Sequence, residues 1–419
     1  MVLTISLVEH APSILHGSHS PVVGTTGAIP RGIRQHEMVE MRIIHVSSDE
    51  KFIDLALRQF EEILPRQNEC FVISKRSVLR HVKNPVAKCV SPFRAAWGSL
   101  RTVLCQADLI VLHSLTTKIW KACRWTPPGK AMLWLGFGFD YYDLIHAAGE
   151  GLGPLTAASS LHSRSGLRKA IHAWKKSQWR RMKKAALQRV THFAPVIPPE
   201  FAMVRTANPD FSAAFASWSY GSVEDLGGEH PAELTVNAND ILVGNSAAIS
   251  NNHLEAIQLL ADNPYWGARR VVMPLSYGGE NHREKIIAQG MSQLGSRFLP
   301  ILEFMPANEY TAVLTSCRTV LFNHMRQQAV GNLIVLLRQG STVFINEVSP
   351  VFAYLLEEGF IVFPISELME RPVMINHHLS GEEMRKNRDN IQRIWGREVV
   401  RKKNAAMLNG LLPGSVPRG

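Results

Sequence analysis

The chain has 419 residues, 46% hydrophobic and 19% charged, with a net charge of +11. That length allows two domains with separate cores, the composition excludes a disordered chain, and no run of about eighteen apolar residues offers a membrane span. The positive balance points to an anionic partner, whether nucleotide, nucleic acid or membrane surface. Cys70, Cys89, Cys105, Cys123 and Cys317 show no C-x-x-C or zinc spacing, so they suit reduced thiols better than a disulfide framework.

Residues 1–40 are rich in Gly, Pro, Ser and His without periodicity and read as a disordered leader outside the fold. From Met41 strands alternate with helices. The expected strands are Arg42–Val46, Cys70–Ser74, Leu109–His113 and Ala131–Leu135, and the expected helices are Lys51–Leu64 and Pro92–Gln106. Such alternation implies a parallel, doubly wound sheet, which binds ligands at the carboxyl ends of its strands. His45 and His113 fall at such ends and are candidate cleft residues, although a buried structural histidine fits equally. Gly136-Phe137-Gly138-Phe139-Asp140 lacks the third glycine of a dinucleotide loop. It reads instead as a turn presenting Asp140, with Tyr142 and Asp143 behind. Asp140 is then either a general base for an acceptor hydroxyl or an N-cap for a helix from Tyr141.

No acidic residue lies between Glu150 and Glu200, while Lys and Arg crowd residues 160–190. Trp174, Lys175, Lys176, Trp179, Arg180 and Arg181 read as a basic amphipathic helix for an anionic membrane surface. Nucleic acid and a plain solvated face are the alternatives. Prolines and glycines between Phe193 and Asp240 mark the passage to a second domain, where Ile241–Val243, Arg270–Met273 and Phe298–Ile301 are expected strands. Gly244-Asn245-Ser246 follows the first of these and can turn backbone N–H groups toward a phosphate, and Tyr277 can line a base or sugar pocket. The most informative stretch is residues 317–350. There an apolar strand (Thr319–Phe322) leads into a polar loop with Arg326, Gln327 and Gln328, then Gly331-Asn332, an apolar helix ending before Gly340, and a strand Thr342–Ile345 closed by Asn346-Glu347. A helix N-terminus with an arginine at the carboxyl edge of a parallel sheet is a natural diphosphate site.

These stretches resemble glycosyltransferase family 56, the bacterial TDP-N-acetylfucosamine:lipid II N-acetylfucosaminyltransferases. The similar segments are RIIHVSSDEKF at 42, LWLGFGFDYYDL at 133, ILVGNSAAISNNHLEAI at 241 and the RQQ-x-x-GN loop at 326, in family order over residues 41–365. The resemblance implies an α/β GT-B fold, two doubly wound Rossmann-like domains facing a cleft. In this chain they are an acceptor domain at 41–200, a linker at 201–240, a nucleotide-sugar domain at 241–380 and C-terminal helices at 381–419. It implies a metal-independent hexosyltransferase that needs no cofactor. Its donor is a nucleotide-diphospho-sugar, a dTDP-linked 4-acetamido-4,6-dideoxyhexose. Its acceptor is a polyprenyl-diphosphate-linked oligosaccharide of surface polysaccharide synthesis, of enterobacterial common antigen type, at the cytoplasmic face of the inner membrane, with no nucleic-acid partner. Asp140 and Arg326 are its expected catalytic residues. Gly244, Asn245, Ser246, Tyr277, Arg326, Gln327, Gln328, Gly331, Asn332 and Glu347 are expected at the donor, and His45, His113, Gly138 and Tyr142 at the acceptor. A different nucleotide-sugar donor, in capsule or O-antigen synthesis, and a non-catalytic basic nucleic-acid-binding protein are the competing readings. A nicotinamide-dependent enzyme is disfavoured by the missing G-x-G-x-x-G.

Overall fold

A computed structural model describes residues 41–146, 150–160, 166–229, 234–235 and 238–411. The leader expected at 1–40 lies outside the described residues. The side chains of Lys175 and Lys176 lie outside them as well.

In the central strands, runs of β-branched and large apolar residues are buried on both faces, as a parallel sheet covered by helices demands. The first sheet contains β1 (Ile43–Ser47), β2 (Asn68–Ile73), β3 (Ala87–Val90), β4 (Leu109–His113), β5 (Ala131–Leu135), β6 (His192–Ala194) and β7 (Ala214–Phe215). Their order is β3-β2-β1-β4-β5-β6-β7 and every pair is parallel. The second contains β8 (Asp240–Val243), β9 (Val271–Pro274), β10 (Phe298–Ile301), β11 (Cys317–Phe322), β12 (Thr342–Ile345) and β13 (Phe363–Pro364), in the order β10-β9-β8-β11-β12-β13, again all parallel. Two doubly wound Rossmann-like domains face a cleft, the GT-B architecture expected above.

Helix Ile53–Ile63 shows how the layers seal, since Ile53, Ala56, Leu57 and Phe60 recur at helical spacing and are buried. The first sheet continues to Phe215, past the boundary expected at residue 200, because two short strands follow the basic helix. Helix Gly381–Trp395 packs Ile391 and Trp395 into the second domain's core. The next helix, Arg397–Leu411, crosses back and buries Leu408 in the first domain's core. There Asn404 donates to Gln59 Oε1 at 2.8 Å and accepts from the Ser219 amide at 3.2 Å. The chain thus spans the two domains twice, which limits how freely they turn. No helix among the described residues is long and apolar enough to cross a membrane.

Candidate functional site: the interdomain cleft

A cavity of about 230 Å³ lies between the carboxyl edges of the two sheets. From the first domain come Phe52, the turn after β5 with Phe137 and Phe139, and Tyr220. Phe137 and Tyr220 stack with ring centroids 4.6 Å apart, and Phe139 adds a third ring 6.0 Å from Phe137. This wall is aromatic and apolar. From the second domain come Ser246, Tyr277, Arg326, Gln327, Gln328 and the backbone of Val330 and Gly331. Among the described residues that line the cavity, Arg326 is the one charged side chain.

The loop after β11 is built to hold that arginine still. Ala329 takes a left-handed conformation (φ 60°) and lets helix Val330–Gln339 begin at the cleft. The first amides of this helix have no intrahelical acceptor. Gln328 is the fastener: its Nε2 donates to Asn245 Oδ1 at 2.8 Å, and its Oε1 accepts from Ser250 Oγ at 2.7 Å. The Arg326 Nε reaches that same oxygen at 3.4 Å, and the guanidinium lies 5.8 Å from the Tyr142 ring centre. No carboxylate among the described residues pairs with Arg326 within 4 Å. Burial pulls its pKa below the usual arginine range, which is the cost of holding a cation beside apolar surface without a counter-ion.

The Gly244 turn faces this loop. Gly244 has φ +65°, and a Cβ there would come within 2.6 Å of His253 Nε2, so only glycine fits. Asn245 donates to the Tyr277 hydroxyl at 3.3 Å, and Asn251 donates to the Ser246 carbonyl at 2.9 Å. Gly278 closes the arrangement: Ala247 N–H donates to the Tyr277 carbonyl at 2.7 Å, and Gly278 pairs with Ala247 as an isolated parallel bridge. Gly244, Asn245, Ser246, Tyr277, Arg326, Gln327, Gln328 and Gly331 therefore converge on one site.

Glu347 and Asn332 do not join it. Glu347 is exposed beyond β12, while its neighbour Asn346 turns inward and donates to Asn323 Oδ1 at 2.8 Å. Asn332 sits in the first turn of its helix, but its buried side chain donates backward to the Tyr310 hydroxyl at 3.1 Å. Only its main chain belongs to the helix terminus.

The acceptor-side expectations need more correction. Asp140 is neither a base facing the cleft nor an N-cap. Its Oδ2 accepts from Leu115 N at 2.7 Å and Trp134 Nε1 at 2.8 Å, its Oδ1 accepts from Phe137 N at 2.8 Å, and it is 4% exposed. Burial pushes its pKa upward against the pull of those donors. With each oxygen engaged, it braces the turn that carries Phe137 and Phe139. His45 and His113 are wholly buried between β1 and β4 and do not line the cleft. The His45 Nδ1 and His113 Nε2 atoms are 3.0 Å apart, His45 Nε2 meets Asn68 Oδ1 at 3.2 Å, and His113 Nδ1 meets the Tyr220 hydroxyl at 3.3 Å. Asn68 Nδ2 donates to Glu61 and to the Leu64 carbonyl, so its oxygen accepts from His45. With both rings neutral, His113 donates to His45, and the single Tyr220 hydroxyl proton lies between His113 Nδ1 and the Leu135 carbonyl at 3.4 Å. Desolvation holds His45 down at about 4 and His113 well below its usual value. The pair is neutral and orients the Tyr220 ring.

Gly138 and Tyr142 lie at the seam between the domains. Gly138 (φ +89°) has no room for a Cβ beside Gln327 Oε1. The Gln327 amide donates to the Tyr142 hydroxyl at 2.7 Å, which ties the arginine loop to the first domain. Glu200 belongs to the same seam and carries no signal in the sequence beyond ending the acid-free stretch. It is buried, accepts from the Tyr141 hydroxyl at 2.6 Å, and burial raises its pKa to about 7. Tyr220, inside the expected linker, was equally silent. A second clasp joins Thr156 to Glu255, with bonds of 2.8 Å to the Thr156 amide and 2.6 Å to its hydroxyl.

In the basic helix, Gly166–Leu187, Trp174, Arg180 and Arg181 are exposed. Trp179 is not presented outward: its Nε1 donates to Asp143 Oδ2 at 3.2 Å, and the buried Lys183 pairs with the same carboxylate. Among the described residues no three His, Cys, Asp or Glu side chains converge as a metal site.

Residues 224–382 match the family described as 4-alpha-L-fucosyltransferase glycosyl transferase group 56. Sucrose-phosphate synthase from Thermosynechococcus elongatus superposes with a TM-score of 0.58 at 11% identity, covering 88% of this chain and 99% of that one. The Anabaena protein HepE, solved with UDP and glucose, gives 0.58 at 12% identity, covering 88% of this chain and 100% of its own. WaaG, a glycosyltransferase involved in lipopolysaccharide biosynthesis, gives 0.57 at 10% identity, covering 89% of this chain and 100% of its own. These superpositions agree with the GT-B fold, and the match at 224–382 covers the sheet that carries Gly244 and Arg326.

Proposed function

We propose that this chain, a GT-B hexosyltransferase of glycosyltransferase family 56, moves a 4-acetamido-4,6-dideoxyhexose from a dTDP-sugar to a polyprenyl-diphosphate-linked oligosaccharide at the cytoplasmic face of the inner membrane. The observation that carries the donor side is Arg326, which has no carboxylate partner and is the one charged side chain lining the cleft among the described residues, beside the open start of helix Val330–Gln339. Such a site gains most when a diphosphate separates from the sugar, because fixed donors stabilise charge as it develops. A structural neighbour, HepE, was solved with UDP and glucose, and a nucleoside diphosphate is the ligand this reading assigns here. The aromatic wall of Phe137, Phe139 and Tyr220 suits the apolar face and methyl group of a deoxysugar.

The membrane side is supported by a layer of helices over one face of the first sheet. Phe93 (70% exposed), Trp97 (75%) and Trp174 (62%) stand out from it among exposed Arg94, Lys121, Arg124, Arg180 and Arg181. Interfacial aromatics with cations suit an anionic leaflet.

Arg326→Ala tests the donor site. Removing a charge-assisted contact of ~1.5–3 kcal/mol should weaken donor binding about 10- to 150-fold, read as a lost thermal shift on titration with a dTDP-sugar. Turnover should fall with it, while the unliganded melting temperature stays put. Full donor binding by this variant would move the anion site elsewhere.

A further inference from the structure

A second hollow, of about 490 Å³, opens at the carboxyl edge of the first sheet, away from the cleft. It is walled by the residues following β1, β2 and β4. In the order β3-β2-β1-β4 the chain reverses its direction of growth between β1 and β4, and the crevice at such a switch point is where open α/β sheets take ligands.

The lining is cationic. Lys75, Arg76, Arg80 and Lys118 all face the hollow, and none pairs with a carboxylate among the described residues. Two acids share the wall, but Asp49 is already engaged. It accepts from the amides of Arg80 (2.7 Å), His81 (2.8 Å) and Val82 (3.1 Å), so it fastens the arginine-bearing loop over the opening. Burial, and then Asp49 itself, push Glu50 toward its neutral form. A buried hydroxyl, Thr116 Oγ1, lies on the wall without a hydrogen-bond partner among the described residues. Four cations and an unsatisfied hydroxyl suit a dense polyanion better than water.

Two further observations say what the anion is attached to. Val78, between Arg76 and Arg80, is 79% exposed at the tip of the loop. An apolar tip flanked by cations fits the boundary between headgroups and acyl chains. On the other side, the loop after β1 lines the hollow with Glu50 and the cleft with Phe52, two residues or at most about 7 Å of chain apart. A sugar or two attached to an anion in the hollow reaches the aromatic wall.

We propose that this hollow is the diphosphate subsite for a polyprenyl-diphosphate-linked acceptor, a reading that rests on the acceptor class assigned above. Its role is binding and placement: the diphosphate is held while the sugar end enters the cleft.

Calorimetry on the full chain with farnesyl diphosphate and with inorganic pyrophosphate tests it. Arg76 and Arg80 have exposed side chains, so Arg76→Gln/Arg80→Gln leaves the core untouched. Farnesyl diphosphate should bind the wild type more tightly than pyrophosphate does. The double variant should bind it about tenfold or more weakly, raise KM for a lipid-linked acceptor with kcat unchanged, and keep the thermal shift caused by a dTDP-sugar. Thr116→Val should weaken farnesyl diphosphate in the same direction. The proposal is overturned if the double variant binds farnesyl diphosphate like the wild type. Equal binding of pyrophosphate and farnesyl diphosphate overturns the lipid-linked source. Absence of any dTDP-sugar shift in the wild type would instead sink the glycosyltransferase donor reading, a separable result.

Discussion

Gly278→Ala asks whether the donor site depends on backbone placement as well as on charge. Gly278 has φ +129°, and a Cβ there would lie 2.6 Å from the Ala247 carbonyl oxygen and 2.7 Å from the Ala248 amide nitrogen. The Ala247 carbonyl carbon is nearer still and ordinary contact begins at 3.4 Å, so the loops must part by more than about 0.8 Å. Backbone atoms cannot swing aside as a lysine tip would. The conformation itself costs an alanine ~1–3 kcal/mol. Straining the Ala247 N–H···O Tyr277 bond (2.7 Å) and the Gly279 N–H···O Ala247 bond (3.3 Å) adds about 1–2 kcal/mol. A total near ~2–5 kcal/mol should lower the melting temperature by about 5–15 °C. Ser246 and Tyr277 move with these loops, and both line the cleft. A displacement approaching 1 Å at a reacting site costs roughly a hundredfold in rate, although the substitution removes no charge. Differential scanning calorimetry gives the first quantity, and donor titration with steady-state kinetics gives the second. A lowered melting temperature with unchanged donor affinity and turnover would refute the link between this bridge and the site.

Asp140→Asn places an amide NH₂ against at least one of three donors and should cost ~2–4 kcal/mol of stability, and because Asp140 braces the turn carrying Phe137 and Phe139 it should weaken substrate binding more than it slows turnover. A hundredfold loss of turnover in a fully stable variant would restore the catalytic role. Burial holds His45 and His324 down at about 4 and His253 at about 3, so the unfolded chain takes up protons below about 6.5 that the folded chain refuses. Stability from these groups is therefore complete above pH 6.5 and lost as pH falls, by ~2 kcal/mol per histidine at pH 5. Thermal melts from pH 4.5 to 8 check the sign, and His324→Gln should flatten the slope. Replacing Phe93, Trp97 and Trp174 by Ser, with Arg180 and Arg181 changed to Glu, should release the protein from anionic liposomes in a flotation assay. Unchanged flotation would remove the helical layer from the membrane reading.

The fold was legible because both sheets are parallel and buried. Ala131–Leu135 is an unbroken apolar run, Leu109–His113 and Thr342–Ile345 are apolar apart from one terminal polar residue, and with Phe298–Ile301 they are strands at the expected residues. Elements that escaped lack that signature. β3 (Ala87–Val90) is an edge strand with Lys88 and Cys89 exposed, and β6 and β7 are only three and two residues long. The helix expected over Pro92–Gln106 is split into Pro92–Ala96 and Arg101–Gln106, because Gly98 adopts φ +89° between them. The breaker was visible, but its effect depends on a backbone angle that composition does not state.

The site divides along the same line. The residues expected at the donor cluster in short stretches, and the physics that marks them is local: a glycine turn after a strand, and polar residues ahead of an apolar helix. The first-domain side of the cleft and the seam between the domains are built from partners far apart in the chain, such as Tyr142 with Gln327, His113 with Tyr220 and Thr156 with Glu255. A polar residue at a strand's carboxyl end satisfies the same pattern whether it turns toward the cleft or into the sheet. His45 and His113 turned inward because each finds a partner on a neighbouring strand or loop, which removes the penalty of burying a polar ring. Asp140 did so because three donors surround it. In each case the deciding quantity is how many hydrogen-bond partners the interior supplies, and that number exists only once the chain has folded. Arg326 shows the converse. Its loop supplies one weak acceptor and no carboxylate, so its charge is left for a ligand.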